Sequence, residues 1–236
     1  MNGCYNLLSV DNLMNNGSFL NDSSSVYSGM FNNCRSLKHI PHLEKLKTTS
    51  STNGNMIYYQ GFKSCYCLEE VLNLPIDTTA RTSNIFSYTA DECHMLGRFT
   101  FETNNGTPLT ANWVKQEIKL GKVGTDNKYI GYFSSSHSHP DSSYNEVTDQ
   151  ATYEQYKNGN YWTKLLGYSH YNHTSAVETI NSLPDCSEAV NGRSAYVNKI
   201  HFLGGMGADT DGGSVSNLTA DEIAVATAKG WNVLID

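Results

Sequence analysis

Charge is scarce in this sequence. Lys, Arg, Asp and Glu make up only 17% of its 236 residues, and 23 acidic against 16 basic side chains leave a net charge of -7. A chain so poor in cations offers little to a phosphate backbone or an anionic lipid surface, so neither nucleic acid nor a membrane surface is an expected partner. Long apolar runs are missing as well: none reaches the about 18 residues a membrane-spanning helix needs. The first residues, Met-Asn-Gly-Cys-Tyr-Asn, carry no basic region and no apolar stretch, so no secretory signal is expected. Catalytic motifs are lacking too. There is no Gly-x-Ser-x-Gly, no His-Glu-x-x-His and no phosphate-binding glycine loop, and the acidic pairs Glu69-Glu70 and Asp91-Glu92 are adjacent in sequence and so diverge in direction. The chain is read as non-enzymatic and without a cofactor.

What the sequence has instead is a repeat. Phe31, Cys34, Leu37 and Ile40 fall three apart and end at Pro41. The same frame holds Cys4, Leu7 and Val10 upstream, Phe62, Cys65, Leu68 and Val71 downstream, and a looser copy at Cys93, Leu96 and Phe99. Steps of 30, 31 and 28 residues between cysteines predict units too small to bury their own apolar face, which therefore stack. Within a unit the Phe and Cys share one side of a short helical turn, and the stretch before Pro41 is biased to extended backbone. Stacking would lay these extended pieces side by side as parallel strands. The six cysteines are read mainly as core, since a buried thiol behaves as a small hydrophobe. A disulfide and a zinc site are the alternatives. Zinc is weakly supported, because Cys65 and Cys67 are one residue apart and no second close pair exists.

These units resemble the BspA-type leucine-rich repeats, whose pattern runs Met-Phe-x-x-Cys-x-x-Leu-x-x-Ile-Pro. Met30, Phe31, Cys34, Leu37, Ile40 and Pro41 match it, and Leu74-Pro75-Ile76-Asp77-Thr78-Thr79 is similar to the segments joining such repeats. Ile85-Phe86 opens a repeat as Met-Phe does, with Cys93 arriving late through an insertion. The resemblance covers residues 1–100, extends more loosely to 176–236 and is absent between. It implies an α/β fold: a leucine-rich-repeat solenoid of short helical turns and parallel-type strands, with a long irregular insertion and a C-terminal capping helix and strand.

The remaining segments follow in order. Polar clusters at 11–28 and 47–55 read as loops. Residues 101–124 read as further strands, and Leu120-Gly121-Lys122-Val123-Gly124 is echoed by Leu203-Gly204-Gly205-Met206-Gly207, which predicts two equivalent strands around a long excursion. That excursion, 125–175, holds Tyr129, Tyr132, Tyr144, Tyr153, Tyr156, Tyr161, Trp162, Tyr168 and Tyr171 among Ser, Asn and Gly. This is the composition of recognition loops, in which rigid aromatic area is combined with adaptable polar groups; packing in a satellite core is the alternative. His137, His139 and Asp141 are weak metal candidates within it, with His170 and His173 further on. Asp209-Thr210-Asp211-Gly212-Gly213 is a turn rather than a calcium loop, since Ala220 stands where the twelfth, acidic ligand would be. Segment 176–236 is the last repeat and cap: Thr219-Ala220-Asp221-Glu222 is a capping box opening a helix over 220–229, Gly230 ends it, and 231–235 close as a strand.

The expected partner is a protein or a cell-surface glycan. Met1–Val10 enters a repeat without a polar cap, so a homo-oligomer partner, other proteins of an assembly, or further repeats of a longer chain would cover that end. Proteins with such repeats occur as adhesins of gut and oral anaerobes and in virions of phages that infect gut bacteria. The resemblance implies a virion component for host attachment, with a fragment of a bacterial surface adhesin and a purely architectural virion subunit as alternatives.

Overall fold

The computed structural model describes residues 1–5, 7–12, 28–43, 58–76, 86, 88–93, 96–102, 109, 114–121, 123–132, 144–147, 162–168, 171–193, 197–203 and 214–235, without the side chains of 123–132, 144–147 and 162–168. Of the loops read at 11–28 and 47–55, residues 13–27 and all of 47–55 lie outside the described residues, as do residues 77–79 of the joining stretch.

Each cysteine-centred unit turns at two fixed points. The residue before the cysteine has φ of 75° at Gly3, 60° at Asn33, 58° at Ser64 and 62° at Glu92. The fifth residue before it has φ of 61° at Gly29, 54° at Gln60 and 59° at Tyr88. Left-handed backbone at recurring positions reverses the chain the same way each time, so successive units lie in register. Main-chain hydrogen bonds then join them along two edges. On one edge Gly3, Phe31, Phe62 and Glu92 donate N–H groups forward to the carbonyls of Asn32, Gly61, Thr89 and Gly121. On the other, Ser36, Cys67, Glu69 and Gly97 donate backward to Tyr5, Arg35, Lys38 and Glu69.

The strands are the regular parts of these edges. β1 (Glu70–Leu74) pairs in parallel with β3 (Arg98–Phe101) on the second edge. On the first, β2 (Ala90–Asp91), β4 (Glu117–Gly121), β8 (Asn198–Leu203) and β9 (Trp231–Ile235) form an all-parallel sheet in that order. Between β4 and β8 stand three antiparallel strands, β5 (Val123–Tyr132), β6 (Tyr144–Val147) and β7 (Trp162–Tyr168), ordered β6-β5-β7. They are followed by helices α1 (His173–Ser182) and α2 (Ser187–Val190). Helix α3 (Ala220–Ala228) connects β8 to β9. Parallel strands with a few helices make this an α/β fold.

The core lies between the two edges. Phe31, Cys34, Leu37, Phe62, Cys65, Leu68, Val71, Cys93, Leu96 and Phe99 are all at most 1% exposed, with Val10 and Ile40 also buried and Leu7 partly so. The rings stack between units, Phe31 on Phe62 at 6.0 Å and Tyr58 on Phe86 at 5.7 Å. Two corrections follow. Cys4, expected in the core, is exposed, whereas Cys34, Cys65 and Cys93 are buried. Phe86 stacks on Tyr58, and it stands seven residues before Cys93 as Tyr58 stands seven before Cys65, without an insertion; the position equivalent to Phe31 and Phe62, three residues before the cysteine, is Ala90 in this unit.

Helix α1 takes the place of a further strand beside β3. Its Thr179 hydroxyl donates to the Phe99 carbonyl at 2.6 Å, and its Ser182 hydroxyl accepts from the Phe101 N–H at 3.1 Å. The echo between residues 120–124 and 203–207 does mark neighbouring strands, but the register sets Leu120 opposite Phe202 and Gly121 opposite Leu203.

Candidate binding surface

The expected recognition residues separate into three groups. Tyr153, Tyr156 and Tyr161, together with His137, His139 and Asp141, lie outside the described residues. Tyr171 is fully buried, edge-on to Phe202 at 5.5 Å, so it belongs to the core and not to a surface. Tyr129, Tyr132, Tyr144, Trp162 and Tyr168 lie on the antiparallel strands. There the register is specific: Tyr132 of the middle strand β5 is opposite Tyr144 of β6 on one side and opposite Trp162 of β7 on the other. Directly opposed residues occupy the same face of a sheet. One row across three strands thus carries three aromatic positions. Two levels along, Ile130 falls between Glu146 and Lys164, on that same face. Tyr129 is opposite Val147 and Leu165, on the other. Tyr168 is opposite Val123.

A second aromatic column lies on the units themselves. The residues that follow three successive cysteines are Tyr5, Arg35 and Tyr66. The Arg35 guanidinium sits between the two rings, 4.9 Å from the Tyr5 centroid and 5.0 Å from that of Tyr66. Its buried Nε–H donates no hydrogen bond among the described residues, so ring faces supply the negative charge it faces. In a separate grouping, the exposed Tyr88 ring has Lys63 Nζ at 4.8 Å and Tyr59 edge-on at 6.0 Å. This column was legible in the aligned repeat, as the position after each cysteine.

Four buried thiols, Cys34, Cys65, Cys93 and Cys186, are poor nucleophiles. None of the six cysteines forms a disulfide, and burial pushes the Cys34 thiol up to about 11 and those of Cys65, Cys93 and Cys186 well above the ordinary range. Each of three instead donates to the preceding unit: Cys34 Sγ to the Met1 carbonyl at 3.1 Å, Cys65 to Phe31 at 2.9 Å and Cys93 to Phe62 at 3.1 Å. Every acceptor stands three residues before the preceding cysteine. No grouping of three His, Cys, Asp or Glu suited to a metal is found among the described residues. His173 bonds Glu222 at 2.9 Å, joining the first turns of α1 and α3. The Glu222 carboxyl is held down at about 2, chiefly by the Thr219 N–H of its capping box and then by His173.

Set against protein-family models, curated proteins and solved structures, the chain matches none of the three.

Proposed function

We propose that this chain is a leucine-rich-repeat solenoid of the BspA type that acts as a non-enzymatic recognition module. The repeat reading is supported by the recurring left-handed turns and by the three thiols that each bond the same position of the unit before. Recognition rests on one observation, the row Tyr144, Tyr132, Trp162 across the antiparallel sheet. Three aromatic positions at one level suit the apolar face of a sugar ring, and aromatic area costs little entropy to present. The ligand class is a cell-surface glycan, and the setting is host attachment by a virion of a phage of gut bacteria. In a cell-surface adhesin the same row would serve the same purpose.

The test is binding of the fluorescently labelled chain to a panel of gut anaerobes, with parallel samples treated by periodate or protease. Binding to some strains is expected, lost on periodate, and weakened at least tenfold by Tyr132→Ala with Trp162→Ala. A folded protein that binds no strain would sink the recognition reading and favour an architectural role.

A further inference from the structure

Where α1 replaces a strand beside β3, it opens a cleft. A helix is about 10–12 Å across, whereas strands sit about 4.8 Å apart. The substitution leaves a hollow of about 410 Å³ between β1, β3 and α1, within the roughly 300–1,000 Å³ span of small-molecule clefts. Its charges are internally matched. Arg98 contacts Glu178 of α1 through Nε at 3.0 Å and Glu70 of β1 through Nη1 at 3.6 Å. An anion or a cation entering here would have to displace one of these partners, so a charged ligand is disfavoured. Two further linings are engaged as well: Thr100 Oγ1 accepts from the Asn73 N–H at 2.9 Å, and Ser182 donates to the Thr179 carbonyl at 2.9 Å.

Among the described residues, the carboxamides of Asn73 and Asn181 are the polar groups left for a visitor. Both residues are exposed and line the cleft from opposite walls, one from β1 and one from α1. Each carboxamide offers two donors and one acceptor oxygen, which is the complement of adjacent hydroxyl groups. Leu72 adds an apolar edge. Neutral donors and acceptors around a small apolar edge, with no net charge, match a hydroxyl-rich ring. From this juxtaposition we infer that the β1–β3–α1 cleft binds a single neutral sugar residue, held by Asn73 and Asn181. The site is separate from the aromatic row and does not depend on it.

Saturation-transfer NMR on the full chain with free glucose, galactose, mannose and N-acetylglucosamine tests this. Measured in a chain that already carries Tyr132→Ala and Trp162→Ala, so that the aromatic row contributes nothing, at least one sugar is expected to receive saturation, with its affinity reduced at least tenfold by adding Asn73→Gly with Asn181→Ala. Glycine is used at 73 because that backbone has φ of 54°. Asn181→Asp, which keeps the shape and removes the two donors, should weaken the same sugar in a protein with an unaltered melting curve. The inference is overturned if no sugar receives saturation from the chain carrying Tyr132→Ala and Trp162→Ala, or if transfer to that chain survives the Asn73 and Asn181 changes. Transfer that is lost with Trp162→Ala instead would assign the sugar to the sheet and leave the cleft empty.

Discussion

At the scale of single residues, the cysteines separate what spacing can tell from what it cannot. Their three-residue relation to Leu and Phe marks them as core, and burial of all but Cys4 agrees. Spacing alone does not say why cysteine is used. Cys65 is fully buried and its S–H reaches the Phe31 carbonyl at 2.9 Å. Alanine here would lose the hydrogen bond and leave a small void, and should cost about 1–2 kcal/mol. Valine fills the space but cannot donate, so it too should destabilise, by about 1 kcal/mol. Chemical denaturation of the two variants checks this; a valine variant as stable as wild type would remove the hydrogen-bond argument. The left-handed positions were not legible, since Asn33, Ser64, Glu92, Gln60 and Tyr88 occupy sites where a pattern search looks for glycine. Tyr171 misled for another reason: it shares the composition of its neighbours but stands one residue before the N-cap of α1, where the chain turns inward.

At the scale of elements, the two longer helices show what makes a helix readable. α3 announces itself with Thr219 and Glu222 in a capping box, a run of alanines and Gly230 beyond its end. α1 has an equivalent box, but it is built from Asn172 and Ser175, and its second half carries Thr179 where an apolar residue was needed for a visible stripe. Thr179 sits there because it bonds the edge of β3, a purpose only the tertiary structure supplies. The same junction orders a line of alternating charge, Glu70 and Arg98 from successive units and then Glu178 from the helix that follows them, with the His39 ring 3.6 Å from Glu70. At the other end of the helical layer, Gly230 has φ of 82°, and a Cβ added there would lie 2.7 Å from Val190 Cγ2 and 3.0 Å from the Cys186 carbonyl oxygen. Gly230→Ala should therefore cost about 2–4 kcal/mol, through backbone strain and overpacking together. Thermal melting monitored by circular dichroism reads this, and a loss below about 1 kcal/mol would mean that α2 moves aside freely.

At the scale of the whole molecule, the buried thiols bear on stability in the same direction. Burial raises Cys65, Cys93 and Cys186, while an unfolded chain ionises its thiols near 9.0. Raised native values mean that the stabilisation is complete below that pH and is lost as pH climbs above it, each such group contributing up to about 1.4 kcal/mol per pH unit. The urea midpoint is expected to fall between pH 8.5 and about 10.5; a midpoint that stays level would show that these thiols ionise in the native state. The parallel units were legible at this scale because each repeats its own spacing. The antiparallel sheet and α1 were not, because they occur once. Their position also has a consequence for synthesis. The first four units bond neighbours about one unit away, so each can dock as it leaves the ribosome. Strand β4 cannot complete its pairing so soon, for Gly121 waits on Leu203, 82 residues later. At roughly 5–20 residues per second that is about 4–16 s with one edge of β4 unmatched. An open parallel edge next to a finished core is a template for another chain. On a crowded polysome, two unfinished copies would first join along β4.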